Sequence, residues 1–187
     1  MAKPAKQKRR ADGFVVTPGA GSDRNHQTLV AIEKGLKPFP VSRLDLKTRS
    51  APKATAIVTE AVDALAQRAK SEPDRIVIGG RSFGGRMCSM AASSGADGAG
   101  LILLSYPLHP PGKPDNLRVE HFPDIAVPCL FISGTRDPFG TPDELEHHAQ
   151  AIAGPVEHVW LEGGRHNPKE HEDAIVAAIA AWLGLPT

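Results

Sequence analysis

Residues 75–87, with the sequence RIVIGGRSFGGRM, decide the fold of this chain. A short run of β-branched residues leads into four glycines with Ser82 at their centre, and a helix-compatible run begins near Gly85. This pattern is typical of a turn that passes from a strand to a helix almost without a loop, which forces the central residue to a positive φ. Gly80 and Gly84 would remove the side chains that collide in such a turn. We therefore expect Ser82 to present its hydroxyl as a nucleophile above the sheet.

The predicted helix after Ser82 offers a second chemical group. Its first amide N–H, that of Phe83, would point to where an oxyanion forms during acyl transfer. A second donor is expected in the loop after the first strand, where Gly19 and Gly21 flank Ala20. The N–H groups of Ala20 and Phe83 are thus the predicted oxyanion hole. The alternative is that these glycines serve only turns and close packing.

Six predicted strands alternate with predicted helices along the chain. An interior strand of a parallel sheet is apolar on both faces, as the runs at 101–104 and 129–133 are. The pattern predicts an α/β fold with a mostly parallel six-stranded sheet, helices on both faces and no large lid domain. The expected strands are 13–17, 41–46, the run that ends at the serine turn, 101–104, 129–133 and 156–161. The expected helices are 25–34, 54–70, one from about 85, one from Pro142 and one from about 168 to 183.

Two further residues complete the chemistry that a serine nucleophile requires. Ligands bind at the carboxyl ends of parallel strands, and Asp137 and His166 each follow a predicted strand there. A histidine would take the hydroxyl proton of Ser82, and a carboxylate would hold that histidine in the correct tautomer. The chain order serine, acid, histidine also suits this architecture. Asp137 has an alternative role as a turn former, and the weaker candidates for the acid are Asp115 and Asp124.

Composition places few limits on partners. The 187 residues carry a formal net charge of +1, with 41% hydrophobic and 23% charged residues, as in a soluble globular protein without a strong field. We predict a basic disordered tail at residues 1–12 and a single domain at residues 13–187, with a nucleic-acid-binding arm as the alternative for the tail. No run is long and apolar enough to cross a membrane, and no signal peptide is evident, so a cytoplasmic location is expected.

No metal or organic cofactor is expected. Cys88 and Cys129 lack the spacing of zinc ligands and are predicted to be reduced core residues. The rival hypothesis is dinucleotide binding through the glycines of the first loop, with Asp45 on the ribose. Arg24 occupies the position of the third glycine, where a side chain obstructs helix packing.

Three stretches resemble signature sequences of a known family. They are residues 79–86, 104–114 and 134–140, and the similarity extends from about residue 13 to 183. The chain thereby resembles a dienelactone-hydrolase-like α/β-hydrolase family, which includes testis-expressed protein thirty and the hydrolase-like subunit three of the NSL acetyltransferase complex. The resemblance implies a minimal α/β-hydrolase without the N-terminal hairpin or a large lid.

The resemblance also assigns roles to residues. It places Ser82, Asp137 and His166 in the triad positions, and it implies that Tyr106 and His109 line the acyl pocket. The chain departs from the family at Pro18, where a histidine usually precedes the first glycine, and at residues 47–50, where a Phe-Pro-Tyr-like stretch is usual. These departures bear on the pocket rather than on the triad.

The predicted function is that of a serine hydrolase. It would cleave a small ester, thioester or lactone through an acyl-enzyme. The expected partner is a small-molecule acyl substrate, and neither a membrane nor a specific nucleic acid is expected to bind. The protein could form a homo-oligomer. The alternative is a catalytically silent interaction domain that binds a protein partner through the basic tail or the proline-rich loop at 106–122.

Overall fold

The computed structural model describes residues 10–96 and 98–186. The first nine residues of the predicted tail lie outside the described part. Asp12, which we assigned to the tail, contacts the domain: its N–H donates to the carbonyl oxygen of Arg75 at 2.9 Å, and its carboxylate accepts from Ser71 Oγ at 2.7 Å.

The described residues form one six-stranded sheet in which every pairing is parallel, which confirms the predicted fold class. The strands, in the order β2-β1-β3-β4-β5-β6, are β1 (Gly13–Thr17), β2 (Val41–Arg43), β3 (Ile76–Arg81), β4 (Gly100–Leu104), β5 (Cys129–Gly134) and β6 (Val156–Leu161). The α-helices are α1 (Gln27–Gly35), α2 (Ala51–Ala69), α3 (Phe83–Ser93), α4 (Pro142–Ala149) and α5 (Glu172–Leu183).

Helices cover both faces of the sheet because its strands are apolar on both sides. In β1, Phe14 and Val16 face a cluster that includes Leu29 of α1 and Ile179 of α5. Val15 points the other way, into a cluster formed with residues of α2, α3 and α4. Both clusters are buried, so the hydrophobic effect fixes the register of each strand and the side on which each helix lies.

Helices α1, α2, α3 and α5 begin two to four residues from their predicted starts, at Gln27, Ala51, Phe83 and Glu172. Helix α5 begins at Glu172 rather than near Pro168, because Glu170 has a φ of +71° and interrupts the helical path. Helix α2 begins at Ala51 rather than residue 54, since the proline in its first turn removes only an N–H that has no intrahelical partner.

The loops that leave the carboxyl ends of β1, β3, β5 and β6 gather at one edge of the sheet. None of the helices in the described residues has both the length and the apolarity that a bilayer-spanning helix requires.

Candidate active site

Ser82 occupies the sharp turn between β3 and α3, with φ +51° and ψ −119°. The two flanking glycines are required by close packing. A Cβ atom at Gly80 would overlap the side chain of Thr17, and one at Gly84 would overlap the carbonyl oxygen of Pro18. The sequence therefore folds into this turn only because neither position carries a side chain.

The structure brings the three predicted reactive residues into one hydrogen-bonded chain. Ser82 Oγ lies 2.8 Å from His166 Nε2, and His166 Nδ1 lies 2.9 Å from Asp137 Oδ2 and 3.0 Å from Oδ1. The Asp137 side chain is 1% exposed and that of His166 is 18% exposed. A buried carboxylate that accepts from Nδ1–H leaves Nε2 free to accept the serine proton. This arrangement has the geometry that removal of a proton from a hydroxyl requires.

The loop after β5 carries Asp137 and also contacts the imidazole of His166. The N–H of Phe139 donates to Asp137 Oδ1 at 2.9 Å, so Asp137 forms the local turn as well as contacting His166. The ring of Phe139 stacks on that of His166 with centroids 3.8 Å apart. In the described residues neither Asp115 nor Asp124, the weaker candidates, hydrogen-bonds to His166.

The two predicted oxyanion donors lie at the same cleft as Ser82. Phe83 is the first residue of α3, where backbone N–H groups have no partner within the helix. Ala20 is the second residue of a turn in which the N–H of Ser22 donates to the carbonyl of Gly19 at 3.2 Å. Gly21, the third residue, has a φ of +72°, as a type II turn requires.

A cleft with a volume of about 650 Å³ opens above Ser82. Its walls come from the loop after β1, residues 46–49, the start of α3, and the side chains of Pro107 and Phe139. Positive charge predominates in the walls, and none of the described residues that form them is acidic. The cationic residues are Lys47, Arg49, Arg81, Arg86 and Arg118.

Tyr106 lies in the protein interior and not on the cleft wall. It is 1% exposed, its hydroxyl donates to the carbonyl oxygen of Arg118 at 2.7 Å, and its ring packs on Phe122 with centroids 5.4 Å apart. Burial raises the pKa of Tyr106. The predicted role in lining the acyl pocket is therefore not met, because the ring fills the core on the side of the sheet that α2 and α3 cover.

His109 is likewise 6% exposed and does not line the cleft. Its Nε2 lies 3.5 Å from a carboxylate oxygen of Glu144, and its Nδ1 lies 2.9 Å from the carbonyl oxygen of Pro110. In this part of the proline-rich loop Pro107 is the residue that reaches the cleft.

Sequence reasoning missed three arginines and one aromatic residue of the site. Arg81 is 9% exposed, and its guanidinium donates to the carbonyl oxygen of His166 at 3.4 Å. Burial lowers the pKa of Arg81, an effect that the charge of Asp137 opposes. Arg81 and Arg86 stand beside the serine in the sequence, a signal that could have been used. Arg118 and Phe139 belong to loops whose paths the sequence pattern does not predict.

The structure offers no grouping for a metal in its described parts. Residues 10–96 and 98–186 contain no cluster of three or more histidine, cysteine or acidic side chains that could hold an ion. Cys88 and Cys129 are buried free thiols, and burial raises the pKa of Cys88 to about 12. Asp45, the residue of the dinucleotide hypothesis, accepts hydrogen bonds from the backbone N–H and the side chain of Arg24 at 2.6 and 3.0 Å.

Comparison with known proteins agrees with this fold. The family model described as an alpha/beta hydrolase domain matches residues 10–177. The solved structure of dienelactone hydrolase from Anabaena variabilis superposes with a TM-score of 0.75 at 18% identity, covering 93% of this chain and 86% of that one. Est1E from Butyrivibrio proteoclasticus gives a TM-score of 0.73 at 15% identity, covering 97% and 90% of the two chains.

A third solved structure is a serine hydrolase homologue from Coxiella burnetii. It has a TM-score of 0.67 at 17% identity and covers 95% of this chain and 88% of that one. At these identities the solved structures establish the shared fold.

Proposed function

The chain belongs to the alpha/beta hydrolase domain family, and on this premise we propose that it is a serine hydrolase that cleaves a small ester, thioester or lactone through an acyl-enzyme. The observation that carries the proposal is the hydrogen-bonded chain from Ser82 through His166 to the buried Asp137. A packing role for the serine turn would not require an imidazole and a carboxylate in this alignment.

Each residue has a defined part in the proposed reaction. Ser82 Oγ attacks the carbonyl carbon while His166 Nε2 takes its proton, and the proton then passes to the leaving alcohol or thiol. Asp137 keeps the Nδ1 proton in place and stabilises the imidazolium. The N–H groups of Phe83 and Ala20 donate to the oxyanion. Water activated by His166 then hydrolyses the acyl-enzyme and restores the serine.

The finer assignment rests on sequence resemblance. The three motif stretches support a place in the dienelactone-hydrolase-like branch of the family. We propose a small-molecule acyl substrate, a cytoplasmic location and a solvated basic tail for the same protein.

The test is labelling of the purified protein with a fluorophosphonate, followed by mass spectrometry of the adduct. Such a probe reacts with an activated serine and does not require the natural substrate. We expect one adduct, on Ser82, with none in Ser82→Ala and labelling slowed at least about 10³-fold in His166→Ala. His147→Ala is the matched control, because that histidine is exposed on α4 and should leave the labelling rate unchanged.

Two results would overturn the proposal. The first is the absence of any Ser82 adduct on folded protein, which would favour the interaction domain. The second is ester hydrolysis that survives in Ser82→Ala.

A further inference from the structure

The cleft above Ser82 concentrates positive charge. Five cationic side chains of the described residues line it, although the whole chain has a net charge of only +1. None of the five forms an ion pair with a carboxylate in the described ranges 10–96 and 98–186. Some arginines outside the cleft are paired, as Arg24 is with Asp45 at 3.0 Å.

Two of these arginines reach the cleft from different elements. Arg86 follows Ser82 by one turn of α3, since its N–H donates to the Ser82 carbonyl oxygen at 3.0 Å. Arg118 comes from the loop between β4 and β5, and its guanidinium makes a long contact of 3.5 Å with the carbonyl oxygen of Pro107. Both line the cleft.

Among the described residues, no carboxylate forms an ion pair with Arg86 or Arg118. The Nε atom of Arg86 is buried and has no hydrogen-bond acceptor in that part of the chain. Burial lowers the pKa of Arg118, and the neighbouring charge of Arg86 lowers it further. Two half-buried guanidinium groups of like charge repel each other, and a bound anion between them would pair with both charges.

The charge of the pair favours a phosphate over a carboxylate. A phosphate monoester carries nearly two negative charges at neutral pH and three acceptor oxygens, whereas a carboxylate carries one charge. The planar fork of a guanidinium matches phosphate oxygens with two parallel hydrogen bonds. Lys47 and Arg49, on another wall of the same cleft, add to the attraction for a dianion.

Building on the proposed hydrolase function, we propose that the substrate is an acyl ester or thioester that carries a phosphate group a few bonds from the reacting carbonyl, held by Arg86 and Arg118. The bond cleaved is the one between the carbonyl carbon and the leaving oxygen or sulfur. The acyl group passes to Ser82 Oγ, the serine proton goes to the leaving group through His166, and water then releases the acid. The phosphate ester itself is not broken.

The kinetic test uses matched compounds. S-acetyl-2-mercaptoethyl phosphate is compared with S-acetyl-2-mercaptoethanol, and the p-nitrophenyl ester of 3-phosphonopropanoate with that of butanoate. These pairs place the anion on the leaving side and on the acyl side. We expect kcat/KM to be at least about tenfold higher for the anionic member of one pair. S-acetyl-3-mercaptopropanoate provides the carboxylate arm and should show a smaller preference.

Substitutions connect the preference to the two arginines. In Arg86→Gln and in Arg118→Gln, the ratio of kcat/KM between phosphate-bearing and neutral compounds should fall towards one. Arg68→Gln is the charge-matched control, because Arg68 is exposed in the last turn of α2 and does not line the cleft. It should keep the wild-type ratio. Equal kcat/KM for both members of both pairs, or an equal preference for the carboxylate, overturns the inference.

A binding experiment separates this inference from the proposed function. Calorimetric titration of Ser82→Ala with 2-hydroxyethyl phosphate at low ionic strength requires no catalysis. We expect saturable binding that weakens at least about tenfold when Arg86→Gln or Arg118→Gln is added. Absence of saturable binding overturns the phosphate site even if Ser82 labels and neutral thioesters are cleaved. Binding without any Ser82 adduct supports the site and overturns the hydrolase.

Discussion

Ser82 holds a backbone conformation that an L-amino acid rarely adopts, and the surrounding contacts maintain it. Its N–H donates to the carbonyl oxygen of Leu104 at 2.8 Å, which ties the turn to the neighbouring strand β4. The glycines on either side make this conformation compatible with close packing. The strain is thus sustained by the fold, and it sets the hydroxyl against His166 rather than against solvent.

The Ala20 N–H can be removed without disturbing its turn. Ala20 is the second residue of a type II-like turn, a position that proline favours. We expect Ala20→Pro to lower kcat by about 10²- to 10³-fold, because it removes one oxyanion donor while the turn stays intact. Steady-state kinetics on a neutral p-nitrophenyl ester measures this effect.

Ala20→Gly is the matched control for this substitution, since it keeps the N–H and removes only a methyl group. It should stay within a few fold of the wild-type protein. Equal kcat in the proline and glycine variants would exclude Ala20 as the second donor.

The start of helix α4 stabilises the segment that carries Asp137. Thr141 and Glu144 form a capping box: the Glu144 carboxylate accepts from the Thr141 N–H at 2.8 Å and from its hydroxyl at 2.7 Å. His109, whose N–H donates to the carbonyl of Phe139 at 3.1 Å, also approaches Glu144. The helix start and the acid loop therefore behave as one element.

This cap gives a pH-dependent contribution to stability. Hydrogen bonds from the backbone N–H and then the hydroxyl of Thr141 lower the pKa of Glu144 from its ordinary value of 4.5. A lowered folded-state pKa stabilises the protein at neutral pH, and this contribution is lost as the pH falls below 4.5 through the folded value. We expect Glu144→Gln to reduce the free energy of unfolding by about 0.5–1 kcal/mol at pH 7 and by less at pH 3.

Urea unfolding of both proteins at pH 7 and pH 3 measures the difference. Glu60→Gln, on the exposed face of α2, is the control and should have little effect at either pH. An equal loss for Glu144→Gln at the two pH values would contradict the role of the carboxylate.

The elements that the sequence predicted best are those whose pattern is set by burial. The serine turn and the alternation of strands and helices follow from glycine positions and apolar runs, and both appear as expected. The end of β2 was placed at residue 46, but the strand ends at Arg43. Among the described strands it pairs with β1 alone, and it is half-buried, so no strong apolar pattern marks its end.

The pocket could not be predicted because it is made by irregular loops. Tyr106 belongs to a loop that the family resemblance assigns to the pocket, but its ring lies in the core. This orientation depends on the aromatic residues that the ring contacts there. Arg118 reaches the cleft from 36 residues after Ser82, a juxtaposition that no local spacing encodes. The positions of Asp137 and His166 at the carboxyl ends of strands could be predicted, because they follow the ends of β5 and β6 by three and five residues.

At the scale of the whole domain, the half-buried His121 couples folding to mild acid. Burial and the charge of Arg86 lower the pKa of His121 from 6.5 to about 4, an effect that Glu120 and Asp124 oppose. Between these values the unfolded chain binds a proton that the folded protein does not. The contribution of His121 to the free energy of unfolding therefore falls as the pH drops from 6.5 towards 4.

His121→Gln should make the domain less sensitive to this range of pH. The side-chain amide of the glutamine can replace the hydrogen bond that His121 Nε2 makes with Ser89 Oγ at 2.7 Å. We expect the loss of unfolding free energy between pH 7 and pH 4.5 to be smaller in the variant, as measured by urea titration. His147→Gln, on an exposed position of α4, should resemble the wild-type protein. Equal losses in wild type and His121→Gln would show that His121 is not the group that titrates.

The order of the strands has a consequence for how activity is lost. Ser82 follows β3, which has a hydrogen-bonded neighbour on each side. His166 follows β6, which in the described part of the chain pairs with β5 alone, at the border of the sheet. Border strands open locally at lower free energy than central ones, and their amides exchange with solvent sooner. The nucleophile thus follows an interior strand, and its base follows a border strand whose opening we expect to cost less free energy. The reactivity of Ser82 should therefore report local unfolding of this domain more sensitively than its secondary structure content does.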